Sequence, residues 1–341
     1  MNKIKVAVLY GGKSPEHEVS ISSARSVLEH IDREKFIPVP IWINQQGQWF
    51  FKAIDHDLDE RKLEPVLMRH WQTYFDIVFP VLHGPGGEDG TLQGFLETLG
   101  MPYVGCGLLG SAIGINKGLA KKLVHAAGIS IVPFIELYQG DSIDPPNIVK
   151  QLGLPLIIKP CSQGSSIGVT WVADIEKIQE AVQYAFSFGR SILIEQGLIN
   201  KREISVAILE THPGAQGSQC IVSQLAEVCY ASDFLSYKQK YFLEDIPSVH
   251  IPAQLTEVET LQAQALALKI FRLLYGKSLS RIDFFYSPES KQFIFNEVNT
   301  LPGFTEHSLY PQLIQETGMS YSDLLTHLIE FSLNYVGASK C

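Results

Sequence analysis

Three oxygen-bearing side chains near the C-terminus, Asp283, Glu297 and Asn299, have the types and spacing of a hard-cation site. Glu297 and Asn299 are two residues apart in FIFNEVN, so in a strand they share a face, while Ile294 and Val298 turn the other way. Arg281 and Asp283 share a face of SRIDFFY by the same rule. The short SPESK turn between these runs predicts a hairpin whose in-phase register gathers Arg281, Asp283, Glu297 and Asn299 on one surface. Carboxylate and amide oxygens so grouped suit magnesium that also holds phosphate oxygens. A solvated sheet face is the alternative for any one of them alone. The LPGFTEHS that follows brings Gly303, whose missing side chain lets backbone N–H groups approach a ligand.

A second group is basic and glycine-rich. IIKPCSQGSSIG places Lys159 at the end of a buried strand, before a loop with Gly164, Ser165, Ser166 and Gly168. Successive N–H groups and hydroxyls there can cradle phosphates while Lys159 neutralises them. A plain hairpin turn competes with this, and the G-x-x-x-x-G-K-[ST] pattern occurs nowhere. GCGLLG, Gly105 to Gly110, matches G-x-G-x-x-G and raises a dinucleotide dehydrogenase. No acidic residue about 20 positions on is there to take ribose hydroxyls, so the motif reads better as a turn towards Lys117. Glu195 and Glu203 flank the connection in ILIEQGLINKREISVAIL, where carboxylates can accept from an adenine amino group and ribose hydroxyls. Glu16 and His83 follow strands of the first part, where the crevice of an open α/β sheet receives ligands.

The elements that must position these residues alternate strand and helix up to about Ile115. KIKVAVLYGG is an apolar strand stopped by glycines, FIPVPIWI and YFDIVFPVLHG are further strands, and SPEHEVSISSARSVLEHI and GTLQGFLETLG supply helices. NKGLAKKLVHAAGI is then a helix with an Asn cap, and PLIIKP and IGVTWV are strands joined by the Gly/Ser loop. DIEKIQEAVQYAFSFG is an amphipathic helix, and SILIEQG and EISVAIL are strands. Ser232 to Pro247 is too long and irregular for an ordinary connection. TEVETLQAQALALKIFRLLYG is a long helix opened by a Thr256/Glu259 capping box. A last helix lies near SDLLTHLIEFSL.

Bulk properties narrow the function. The 341 residues, 45% hydrophobic and 18% charged, suit two or three domains with sizeable cores. A formal charge of -9 argues against nucleic acid as a partner. No segment approaches the ~20 apolar residues that span a bilayer, and the N-terminal run is too short for a signal peptide, so a cytoplasmic protein without a membrane partner is expected. The five scattered cysteines read as reduced thiols.

Taken in order, GGKSPEHEVS, HGPGGEDGTLQG, KPCSQGSSIG, YKQKY, RIDFF and NEVNTLPGFTEHSL resemble the D-alanine–D-alanine ligase family of the ATP-grasp superfamily. The resemblance runs from Lys5 to about Leu333. It implies an N-terminal α/β open parallel-sheet domain (1–115), followed by an α+β ATP-grasp fold of two subdomains (116–211 and 212–341), with a mobile lid at 232–247. The implied reaction joins two D-alanines at the expense of ATP, through a D-alanyl phosphate, for peptidoglycan synthesis. Lys117, Lys159, Ser165 and Ser166 would hold the ATP phosphates, and Glu195, Leu198 and Glu203 the adenine and ribose. Asp283, Glu297 and Asn299 would bind two Mg2+ or Mn2+ ions. One D-alanine would place its ammonium at Glu16 and its carboxylate at His83 and Arg281; the second would lie at Ser308 and the Leu309 backbone. Arg281 and the Gly303 N–H would stabilise the oxyanion, and Tyr241 would bond Ser165, which in turn bonds Glu16. Tyr241 also favours D-alanine over D-lactate as second substrate. A homodimer through the first domain is implied as well. The chain departs from the pattern at Asn116, at QGLINKRE and at Leu235. The alternatives are an ATP-grasp ligase forming D-Ala–D-lactate or D-Ala–D-Ser, the dehydrogenase, and a non-catalytic amino-acid-binding protein.

Overall fold

The structure, a computed structural model, describes residues 3–51, 64–65, 71–212, 219–229 and 248–338. Tyr241, Leu235 and the whole lid segment 232–247 lie outside the described residues. The first sheet contains β1 (Ile4–Gly11), β2 (Phe36–Ile43), β3 (Trp49–Phe51), β4 (Glu64–Pro65) and β5 (Ile77–Pro80), in the order β4-β3-β2-β1-β5. β1 lies parallel to β2 and β5, as an open α/β sheet requires. Its side chains alternate between two cores: Val6, Val8 and Tyr10 join Ala24 and Val27 of helix His17–His30, whereas Ala7 and Leu9 join Trp71, Leu92 and Leu96. Burial on both faces is why VAVLY is continuously apolar.

The expected open parallel sheet carries an antiparallel edge, where β3 runs antiparallel to both β2 and β4. The reason is local. Asn44 Oδ1 accepts from Gln46 N and Gln48 N at 3.0 and 2.8 Å, and Gly47 takes φ +83°, so a tight turn reverses the chain where a crossover would be needed for parallel pairing.

The second sheet is antiparallel: β6 (Phe134–Tyr138), β7 (Leu156–Pro160), β8 (Thr170–Val172) and β9 (Ser191–Gln196), in the order β6-β9-β7-β8. Helix Ile178–Phe186 covers one face through Ile178, Ala181, Val182 and Ala185, which pack with Ile158, Ile192 and Ile194. The third sheet, also antiparallel, comprises β10 (Arg202–Glu210), β11 (Cys220–Cys229), β12 (Ser248–His250), β13 (Leu279–Ser287) and β14 (Gln292–Asn299), in the order β12-β11-β10-β13-β14. β10 bonds to β11 and β13, so the short connection between β9 and β10 carries the chain from one sheet to the next, and the third sheet begins at Arg202. Helix Glu257–Leu273, with the expected Thr256/Glu259 capping box, packs Ala263, Ala267 and Ile270 on Val206, Ile282 and Phe284. The C-terminal helix Tyr321–Ala338 returns Leu324, Leu325 and Leu328 to the core beneath β1.

Candidate active site

One cavity lies between the inner faces of the second and third sheets. Ile157, Lys159, Glu195 and Leu198 line one side; Glu203, Phe285, Asn296 and Glu297 line the other; Lys117 and the loop Gln163 to Ile167 close its end. On β13 the pattern is regular: Ile282, Phe284 and Tyr286 are buried under the helix, while Arg281, Asp283 and Phe285 take the other face. The expected hairpin pairs Arg281 with Asn299 and Asp283 with Glu297.

Strict alternation fails on β14. Asp283 is opposite Glu297 but Phe284 is opposite Phe295, so Asn296 is an extra, bulged residue. The bulge flips the phase. Phe293 and Phe295 before it and Val298 after it enter the same core, and Ile294 lies opposite Phe285 rather than with Val298. Asn296, which alternation turns away from Glu297, lines the cavity beside it. Its buried Oδ1 has no hydrogen-bond partner among the described residues.

The oxygen donors are already engaged with one another. Arg281 grips Asp283 through Nε to Oδ1 at 2.8 Å and Nη2 to Oδ2 at 2.7 Å. Ser205 Oγ and Asn299 Nδ2 donate to the same carboxylate at 2.7 and 2.8 Å. Asp283, Glu297 and Asn299 thus fit a hard cation by chemistry and by register. Binding one there requires Asn299 to present its amide oxygen and Arg281 to yield part of the Asp283 carboxylate.

At the loop end, Lys117 Nζ donates to the Gln163 carbonyl at 2.6 Å and lies 3.3 Å from Glu297 Oε2. Asn116 caps this lysine's helix, accepting from Leu119 N at 2.9 Å. Ser165 and Ser166 take φ of +50° and +60°, a left-handed backbone costly for residues bearing a Cβ. That turn delivers the Ser165 hydroxyl to Glu16 Oε1, tying the loop to the first part of the chain. Lys159 Nζ stands 2.8 Å from Glu195 Oε2, and Lys121 Nζ 3.0 Å from Oε1. Burial opposes ionisation of Glu195, but Lys121 and Lys159 more than offset it and hold the carboxyl below the usual range. Both of its oxygens thus face ammonium groups. Glu203 pairs with Lys201, whose Nζ also lies 4.2 Å from the centre of the Phe285 ring.

The HGPGGEDG loop acts as a clamp. His83 Nδ1 contacts the Leu301 carbonyl at 3.3 Å and Nε2 the Ser23 hydroxyl at 3.0 Å. Burial pushes the imidazole down to about 4, so the ring is neutral near pH 7, with Nδ1–H donating to the carbonyl. Glu88 accepts from Gly84 N at 2.7 Å and Leu301 N at 3.3 Å. Burial and the neighbouring Glu16 charge push its carboxyl up to about 8. Two residues beyond Leu301, Gly303 lies against Ser308, whose Oγ is 3.1 Å from where a Gly303 Cβ would stand. Ser308 Oγ accepts from Thr305 N at 3.0 Å, and helix Leu309–Gln315 starts at the next residue. In GCGLLG, Gly110 serves packing, since a Cβ there would stand 2.4 Å from the Tyr275 carbonyl oxygen, and Gly105 takes φ +109°.

The family model described as D-ala D-ala ligase N-terminus matches residues 5–106, and that described as D-ala D-ala ligase C-terminus matches 123–330. The chain belongs to the D-alanine–D-alanine ligase family. Among similar proteins, D-alanine–D-alanine ligase of Proteus mirabilis is 38% identical, with 98% of this chain and 96% of that protein covered. D-alanine–D-alanine ligase A of Escherichia coli K12 is 37% identical with the same coverage. Among solved structures, the D-alanine–D-alanine ligase of Coxiella burnetii superposes with a TM-score of 0.87 at 28% identity, covering 100% of this chain and 97% of that one. The VanG D-Ala:D-Ser ligase of Enterococcus faecalis gives 0.84 at 35%, covering 97% and 100%. The Bacillus anthracis D-alanine–D-alanine ligase complexed with ATP gives 0.78 at 26%, covering 98% and 99%. These relatives make the chain an ATP-dependent ligase with the ATP-grasp fold.

Several site residues escape a reading by motif. Lys121 carries a helical signal, since it is four residues after Lys117 and shares its face. Glu88 is one acid in a glycine-rich loop, and only its contacts with Gly84 and Leu301 distinguish it. Asn296 has no local signal, because its direction depends on a bulge.

Proposed function

We propose that this chain is a D-alanine–D-alanine ligase, joining two D-alanines with ATP cleavage to ADP and phosphate, for cell-wall peptidoglycan. The observation that carries the reading is the convergence on one cavity of Lys117, Lys159 and the Gln163–Ile167 loop with Glu297, beside Asp283 and Asn299. Phosphates would lie at Lys117, Lys159, Ser165 and Ser166, and the nucleoside along Glu195, Leu198 and Glu203, against Phe285. Asp283, Glu297 and Asn299 would hold two Mg2+ or Mn2+ ions. When bound, these neutralise charge on the transferred phosphoryl group.

Glu16 takes the ammonium of the first D-alanine, while Ser165 holds Glu16 in place. Arg281 meets that substrate's carboxylate, with His83 as the wall of the subsite. The carboxylate oxygen attacks the γ-phosphorus, its bond to ADP breaks, and the resulting acyl phosphate is open to the amine of the second D-alanine. Ser308 and the Leu309 N–H receive the second carboxylate. Arg281 and the Gly303 N–H face the tetrahedral oxyanion, which then expels phosphate. The clamp from His83 and Glu88 onto Leu301 sets the turn that carries Gly303. Tyr241 would complete the Glu16–Ser165 chain and favour a dipeptide product. The division into units at 1–115, 116–211 and 212–341, a homodimer through the first unit and a cytoplasmic location belong to the same reading. Among the described residues no helix is long and apolar enough to cross a membrane.

Phosphate release from ATP and Mg2+, with D-alanine alone and with D-serine or D-lactate added, tests the proposal. D-alanine-dependent release with D-Ala–D-Ala as the product is expected. Release that ignores D-alanine removes the reading.

A further inference from the structure

Beneath the phosphate end of the cavity lies a charge to which the reaction above assigns no task. Lys121 has no exposed surface and does not line the cavity, yet its ammonium is 3.0 Å from Glu195 Oε1. The other oxygen of that carboxylate is 2.8 Å from Lys159, which does line the cavity. Lys159 on β7 and Glu195 on β9 are fixed by the second sheet, in which Ile157 pairs with Glu195 and Lys159 with Leu193. Lys121 rises against them from helix Lys117–Ala126, whose neighbouring Ala120 and Val124 are core residues.

A position this enclosed accommodates an apolar side chain without the desolvation cost of an ammonium. What an apolar residue cannot do is balance Glu195. With Lys159 as its sole partner, the carboxylate would form a neutral pair and cancel the charge that Lys159 offers to phosphate. With Lys121 also present, one carboxylate lies between two ammonium groups, and one positive charge is left over at the cavity wall.

We propose that Lys121 is a positioning residue for nucleotide binding: it balances Glu195 from below and so leaves the charge of Lys159 to the polyphosphate. The proposal rests on the cavity being the ATP site. It predicts a loss confined to the phosphates and relieved by removing the opposing charge.

Calorimetric titration of the full chain with ATP and, separately, with adenosine tests it in wild type, Lys121→Met, Glu195→Gln and Lys121→Met/Glu195→Gln. Lys121→Met is expected to weaken ATP about tenfold, the scale of one charged hydrogen bond, with adenosine unchanged. Glu195→Gln by itself carries whatever the nucleoside contact of Glu195 contributes; added to it, Lys121→Met costs no further ATP affinity, because a neutral amide in place of the Glu195 carboxylate no longer cancels Lys159. ATP binding by Lys121→Met equal to wild type overturns the proposal, as does parallel weakening of ATP and adenosine, or a double variant weaker for ATP than Glu195→Gln alone. Should Lys121→Met fail to fold, Lys121→Gln replaces it with the same expectations. Wild type that binds no ATP overturns the cavity assignment itself, a result distinct from the others.

Discussion

The cavity has two charged walls built on opposite principles. On the third sheet, Arg281 and Asp283 are bonded at 2.7 Å, with side chains still 20% and 15% exposed. On the second, Glu195 and Lys159 are 3% and 9% exposed, and Lys121, behind them on helix Lys117–Ala126, is 0% exposed. Water can replace a lost partner at the first wall but not at the second, where an unpaired charge bears the full desolvation cost. On the proposed function, the open wall would exchange Arg281 and Asn299 for incoming cations and substrate, while the closed wall would keep one charge distribution throughout.

The sharpest way to break this contrast is to strip each wall in turn. Asp283→Ala is expected to lower D-alanine-dependent phosphate release about 10³-fold, roughly 4 kcal/mol in the transition state, while its urea midpoint stays near wild type. Activity within tenfold of wild type would remove the cation assignment. Glu195→Ala has the opposite signature, since it abandons Lys121 in the core: about 3 kcal/mol of unfolding free energy is lost. A loss under about 1 kcal/mol, small for a broken buried pair, would show that water reaches the closed wall.

His83 extends the same distinction to pH. Its pKa is about 4 in the folded chain against an ordinary 6.5, so on acidification the unfolded chain takes up the proton first. The stability concerned is complete above pH 6.5 and is lost as pH falls towards 4. Between pH 7.5 and 5, wild type should lose roughly 2 kcal/mol more than His83→Gln, measured by urea unfolding at both pH values; equal losses would place water at the ring. The smallest effect serves as the control. Thr256→Ala removes a helix cap on the outer side of the third sheet, so about 1 kcal/mol of stability should go with activity unchanged. A change in the KM for ATP in that variant would mean that both walls respond to general loosening.

Much of this was readable from local pattern. The continuous apolar run of β1, the capping box at Thr256 and the pairing of Arg281 with Asn299 and Asp283 with Glu297 follow from periodicity and short turns, which act within a few residues. The Asn44–Gln48 turn was equally local, yet an alternating strand–helix pattern obscured the antiparallel edge it creates. The assignment of β10 was only partly local: β11 lies 10 to 25 residues along the chain, but its other neighbour, β13, pairs with it across seventy residues or more.

Residue type and spacing by themselves determined the family and the chemistry proposed for it: carboxylates and an amide on one sheet face, a lysine before a Gly/Ser loop, and an ordered set of motifs from end to end. Tertiary structure alone decided how those charges are spent. It placed Lys121 under Glu195, turned Asn296 into the cavity through a bulge, and set His83 and Glu88 on Leu301. Each of these depends on burial and on contacts distant in sequence. Desolvation and Coulomb energies are properties of that packed arrangement, and no window of neighbouring residues contains them.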